Sequence, residues 1–167
     1  PRGGSWSKDG QILFAPSSAS GLYRVPAAGG AAAVVTALDV GKGESSHRWP
    51  HFLPDGRRYL FVVRSGKPED AGILLGALGA TAKRKILPDV SSVGYAPDGY
   101  LVFRRQTALM AQRFDAGNER VIGEPFPVAD TVRGDPTITA LAAFSVSTEG
   151  TLAYQSAAAE PTRFVWL

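Results

Sequence analysis

Five consecutive residues, His47-Arg48-Trp49-Pro50-His51, hold both histidines of the chain together with a guanidinium and an indole. Imidazoles can bind metal or exchange protons near neutral pH, and an arginine can hold an anionic group. An i, i+4 histidine pair could share a metal on a helix, but the flanking residues read as strand. On a regular strand the two rings point to one side about 13 Å apart, too far for one ion. Asp9, Asp55 and Asp98 look like a carboxylate set. Each precedes a glycine in a turn sequence, where an aspartate bonds back to the backbone. Gly3-Gly4 and Gly29-Gly30 precede no helix that could cradle phosphate. Ser145 and Ser147 sit in strand-like sequence, and no G-x-S-x-G elbow is present. The chain has no cysteine, hence no disulfide and no thiolate metal site. No catalytic, cofactor or metal-binding residue is assigned, and the chain is read as non-enzymatic.

What must position these residues is a repeated hairpin. Phe52-Leu53-Pro54-Asp55-Gly56 is a strand end running into a tight turn, and Tyr59-Leu60-Phe61-Val62 resumes the strand. The device recurs at Trp6-Ser7-Lys8-Asp9-Gly10, at Tyr95-Ala96-Pro97-Asp98-Gly99 and, more loosely, at Val146-Ser147-Thr148-Glu149-Gly150. The acidic turn residues Asp9, Asp55, Asp98 and Glu149 are spaced by 46, 43 and 51 residues. Repeats of roughly 40–50 residues built from strands are read as propeller blades. The fold class is therefore all-β: a β-propeller fragment of about three and a half four-stranded antiparallel blades. The blades are 1–45, 46–90 and 91–140, with a partial fourth at 141–167 whose third strand would be Arg163–Leu167. The matched aromatic positions, Trp6, Phe52 and Tyr95 among them, are expected to pack between blades.

The aromatic-Ser-x-Asp-Gly-x-x-Leu-x-Phe pattern, the Gly21-Leu22-Tyr23-Arg24-Val25 strand and the Ala28-Gly29-Gly30 turn resemble the TolB-type propeller repeat. His47 through Gly56 is also similar to propellers that follow kinase domains in some large bacterial signalling proteins. The resemblance implies a recognition or sensor module of a larger bacterial signalling or envelope protein. It would bind a protein, peptide or small ligand at the face carrying the long connections, since long loops carry function more often than tight turns. His47, Arg48 and His51, at the mouth of an innermost strand, are the candidate ligand-binding residues for a channel ligand. The alternative is the accessory propeller of a prolyl-oligopeptidase-like serine peptidase.

Composition narrows the partners. Net charge is +3, from 18 basic and 15 acidic residues. The densest cluster, Lys83-Arg84-Lys85, has no interleaved aromatics and reads as a solvated outer strand, so no nucleic-acid partner is expected. No apolar run reaches the ~18 residues that span a bilayer, so no direct membrane insertion is expected. The first residues lack a Met and a signal-peptide core, and the chain is expected to be a piece of a longer polypeptide. The residues do not fix a compartment; an extracytoplasmic, periplasmic one suits the resemblance. An arc of blades leaves open apolar ends, with Trp6, Ile12 and Phe14 at one and Leu152, Tyr154, Phe164 and Trp166 at the other. Self-association through these open blade edges is expected.

Overall fold

A computed structural model describes residues 2–135 and 137–157. Among them there is no α-helix, and a single 3-10 turn spans Val40–Lys42. Strands β1 (Gly4–Trp6), β2 (Gln11–Phe14), β3 (Tyr23–Pro26) and β4 (Ala33–Val34) form one antiparallel sheet in chain order. So do β5 (Glu44–Phe52), β6 (Arg58–Ser65), β7 (Gly72–Ala77) and β8 (Arg84–Leu87). The third sheet is β9 (Val93–Ala96), β10 (Tyr100–Arg105), β11 (Ala108–Asp115) and β12 (Arg120–Ala129). Two short pairs follow, β13 (Gly134–Asp135) with β14 (Leu141–Ala142), and β15 (Phe144–Val146) with β16 (Leu152–Tyr154). The molecule is a propeller arc of three full blades and part of a fourth. The expected strand Arg163–Leu167 lies outside the described residues.

Strand alternation gives each blade two apolar faces. In the second blade Phe52 and Tyr59 are directly paired, and with Phe61 they pack against Leu13, Ala15 and Leu22 of the first blade. The opposite face offers Leu60, Ile73 and Leu75 to Val93, Leu101 and Phe103 of the third blade. Val102 and Leu109 then meet Phe144, Val146 and Leu152 of the fourth unit. One register explains all three seams. The backward-facing set is Phe52, Tyr59 and Phe61 in the second blade. It is Tyr95, Leu101 and Phe103 in the third, and Val146, Leu152 and Tyr154 in the fourth. Its counterpart in the first blade is Trp6, Ile12 and Phe14, continued by Tyr23 and Val34 through direct cross-strand pairing. Among the described residues no sheet covers this face, and Trp6 is 66% and Val34 61% exposed. Leu152 and Tyr154, expected at the open trailing end, instead lie on the backward-facing side, and Leu152 packs against Val102 and Leu109. The residues that do face that end, Ser145 and Ala153, are poorly apolar, and Phe164 and Trp166 lie outside the described residues.

Two residues of β5 lie between Arg48 and His51, opposite only one residue of β6, so the strand carries a β-bulge at Trp49-Pro50. Trp49 has φ +50, in the left-handed region. One extra residue inverts the side-chain alternation. His47, paired with Val63, therefore faces the first blade, and His51, paired with Leu60, faces the third. They do not point to one side. The bulge is accommodated by Gly3, where an added Cβ would lie 2.5 Å from Trp49 Cε3.

The hairpin turns follow their sequence. Gly10, Gly56, Gly99 and Gly150 have φ between 71° and 89°. Asp55 Oδ1 accepts the Arg57 and Arg58 amides at 2.8 Å each. At two of these turns an added Cβ would meet the neighbouring blade: at Gly56 it would come 2.6 Å from Asp9 Oδ2, a clash, and at Gly150 it would sit 3.6 Å from Pro97 Cγ, an ordinary contact. Gly56→Val is expected to lower unfolding free energy by more than about 1 kcal/mol, since backbone strain and contact act together. Gly79→Ala, at φ +82 with open space around it, should lose less. Chemical denaturation of both variants gives the comparison; equal losses would show that the second hairpin is not held against the first blade.

Candidate functional site

The innermost strands β1, β5, β9 and β15 line the inside of the arc. Their C-terminal ends, next to the Asp-Gly turns, bound a groove of about 450 Å³. Its walls include Trp6, Phe52, Tyr95 and Val146, the inner member of each backward-facing set, with Lys8 and His51 among the polar lining. His51 Nε2 accepts the Tyr95 amide at 3.1 Å, which places the ring proton on Nδ1. Burial holds its pKa below the usual histidine range. The imidazole is thus a neutral polar point in a largely apolar wall. Mostly apolar grooves with a few fixed polar groups are the usual form of a ligand site.

The opposite end of the inner strands is filled. Arg48 is 5% exposed. Its Nε donates to Ser46 Oγ at 2.7 Å and its Nη2 to the Ser18 carbonyl at 3.2 Å. Its Nη1 donates to the Ile138 carbonyl, which also accepts Arg64 Nη1 at 2.7 Å. Trp49 Nε1 donates to the next carbonyl, Thr139 O, at 2.7 Å. Residues from the third long connection thus lie over the long-loop end of the second blade.

His47 has no exposed surface and faces the seam between the first and second blades. The Leu22 amide donates to Thr36 Oγ1 at 2.8 Å, and Thr36 Oγ1 lies 2.7 Å from His47 Nδ1. His47 Nε2 is 2.9 Å from Glu44 Oε2. Lys83 Nζ bonds both Glu44 oxygens, at 2.7 and 2.9 Å, and the Asp39 amide donates to Oε2 at 2.8 Å. The self-consistent arrangement has Thr36 donating to Nδ1 and Nε2–H donating to an ionised Glu44. Burial depresses the His47 pKa most; hydrogen bonding to Glu44 opposes this, and the Lys83 charge adds to it. For Glu44, burial raises the pKa, but Lys83, the Asp39 amide and His47 outweigh it and hold the carboxyl low. Hydroxyl, imidazole and carboxylate in series are the groups of a nucleophilic relay. Here Thr36 is buried and already accepts a backbone amide, so the series works as a polar rivet between blades.

No family model and no curated protein matches the sequence. Among solved structures the chain is similar to TolB from Acinetobacter baumannii, with TM-score 0.63 and 19% identity over 91% of this chain. The fold is TolB-like. The match spans 36% of the TolB chain, so this chain corresponds to well under half of its length.

Of the three residues picked from sequence, His51 alone lines the groove of the propeller. His47 is sealed in a seam, and Arg48 is held at the far end. Glu44 and Thr36 carry no motif and are invisible in the sequence; Lys83, expected on a solvated strand face, instead turns in to Glu44 with its side chain 17% exposed. The sequence pattern marks Trp6 and Tyr95 as packing residues; the groove uses the same rings. Among the described residues no group of three His, Cys, Asp or Glu could hold a metal ion.

The rivet makes stability pH-dependent. His47 and His51 have folded pKa values below the unfolded value of about 6.5, so their contribution is complete above that pH and is lost as pH falls below it. The Glu44 contribution is present above its unfolded value of about 4.5 and is lost as pH falls through its lower folded value. As pH falls from 6.5 to 5, each depressed histidine should lower stability, because the unfolded chain takes up a proton that the folded ring resists. His47→Gln is expected to be less stable at pH 7 and to show a shallower slope in that window. Denaturant midpoints measured from pH 5 to 8 decide this, and an unchanged slope would mean that His47 is not held neutral.

Proposed function

We propose that the chain is a non-enzymatic recognition module of a larger bacterial signalling or envelope protein. It holds a short extended protein or peptide segment along the groove of its innermost strands. The supporting observation is the groove itself, framed by all four units, with the 66% exposed Trp6 beside Phe52 and Tyr95. Large rings with a polar neighbour favour apolar side chains at low entropic cost. His51 and Lys8 would fix the orientation of backbone or side-chain groups. The sequence pointed to the long-loop face; the groove favours the hairpin face, because residues 138 and 139 occupy the other end of the second blade.

In this reading the same Trp6 borders two surfaces, the groove and the uncovered face that continues through Ile12, Phe14, Tyr23 and Val34. A contiguous apolar face of this kind supports self-association, most simply as a two-fold dimer in which the face meets its own copy. Binding to an array of synthetic peptides of varied sequence, probed with labelled protein, should fall at least tenfold for Trp6→Ala and less for His51→Ala. Retention by the same peptides in Trp6→Ala at wild-type strength would remove the groove from consideration. Val34→Asp separates the two surfaces, because it lies on the uncovered face away from the groove. It should abolish dimerisation in sedimentation equilibrium and leave peptide binding intact. A wild-type chain that stays monomeric across the accessible concentration range would refute the dimer alone.

A further inference from the structure

The long-loop end carries a charge arrangement that peptide recognition in the groove does not use. Arg48 is almost wholly buried, and its hydrogen-bond acceptors, Ser46 Oγ, Ser18 O and Ile138 O, are all neutral. Arg64 brings a second guanidinium to the same Ile138 carbonyl. Two cations thus converge on one uncharged oxygen. The charge of Arg2 also reaches this point, and Asp135 is the carboxylate that opposes it. Burial and these like charges both disfavour the charged Arg48. Asp135 is committed elsewhere, since its Oδ1 accepts the Thr137 and Ile138 amides and the Thr137 hydroxyl. Buried guanidinium groups ordinarily face carboxylate or phosphate, which their planar fork matches in two bonds.

We infer that Arg48 and Arg64 form an oxoanion-binding site whose acceptor position is occupied by the Ile138 carbonyl. A carboxylate or phosphate group takes that position, gaining charge-assisted bonds from both guanidinium groups in place of the two made to a neutral oxygen. The residues that yield it are exposed: Ile138 is 66% exposed and is held chiefly by Arg48, Arg64 and the Asp135 carboxylate. Trp49 reports the exchange, because its indole N–H bonds the adjacent Thr139 carbonyl and loses that partner when the segment moves. The site stands at the far end of the inner strands from the peptide groove, so either can fail without the other.

Inorganic phosphate and glutarate are the probes, titrated into the full chain at ionic strength held constant with sodium chloride. The expected result is a saturable rise in Tm and a saturable change in tryptophan fluorescence with at least one probe. Phosphate alone, or glutarate alone, identifies which oxoanion the site prefers. Trp49→Phe should lose the fluorescence change and keep the rise in Tm. Arg64→Gln, on a half-buried side chain, should weaken apparent affinity at least fivefold, and Arg48→Lys, which keeps the charge and loses the fork, should do the same. Should Arg48→Lys fail to fold by circular dichroism, Arg64→Gln decides. No saturable response to either probe, or an equal response in Arg64→Gln, overturns the site.

Discussion

A four-stranded blade has two apolar faces, and neither can be buried without a neighbour. Strands of alternating pattern present Phe52, Tyr59 and Phe61 to one side and Leu60, Ile73 and Leu75 to the other. The second blade is therefore stable only between the first and the third. Burial of large side chains at about 25 cal/mol per Å² is the term that orders the arc, and hydrogen bonding within each sheet supplies the geometry. Trp6 and Val34 show the same constraint left unmet. They occupy positions of the backward-facing set and stand exposed because no sheet among the described residues covers them.

In the seam between the first and second blades, the main polar cluster is matched group by group. Thr36, His47, Glu44 and Lys83 form a closed chain in which each buried donor meets an acceptor, and the charge of Glu44 is balanced by Lys83. A buried network satisfied throughout ties two sheets more specifically than apolar contact alone, since a slip would strand charges without partners. The bulge at Trp49-Pro50 makes this possible. Without the extra residue, His47 and His51 would share one face, and the second blade could not send one imidazole to each neighbour. The strain of a left-handed Trp49 is offset by its bond to Thr139 and its fit over Gly3.

The two ends of the inner strands differ for a related reason. At the hairpin end the turns are short and tight, so edges of the inner rings of successive blades frame a groove, with Trp6 the most exposed of them. At the long-loop end the connections are irregular and differ between blades. One of them reaches back to Arg48, Arg64 and Trp49 and fills the space. Length of loop thus closes one mouth of this arc, while brevity leaves the other open.

The residues alone determined the repeat, the hairpins and the all-β propeller class. Turn chemistry and period-two alternation are local, and Pro54-Asp55-Gly56 carries its own instruction. They also determined which aromatics recur, because Trp6, Phe52 and Tyr95 fall at matched positions. Only the tertiary structure decided which way each histidine faces. That rests on one surplus residue opposite β6, and strand pairing is a relation between segments that neither segment encodes by itself. The partners of His47 likewise come from positions 36, 44 and 83, brought together by the packing of two sheets. The same packing decided that Arg48 meets a carbonyl ninety residues away in the chain, and that the open groove lies at the tight-turn end.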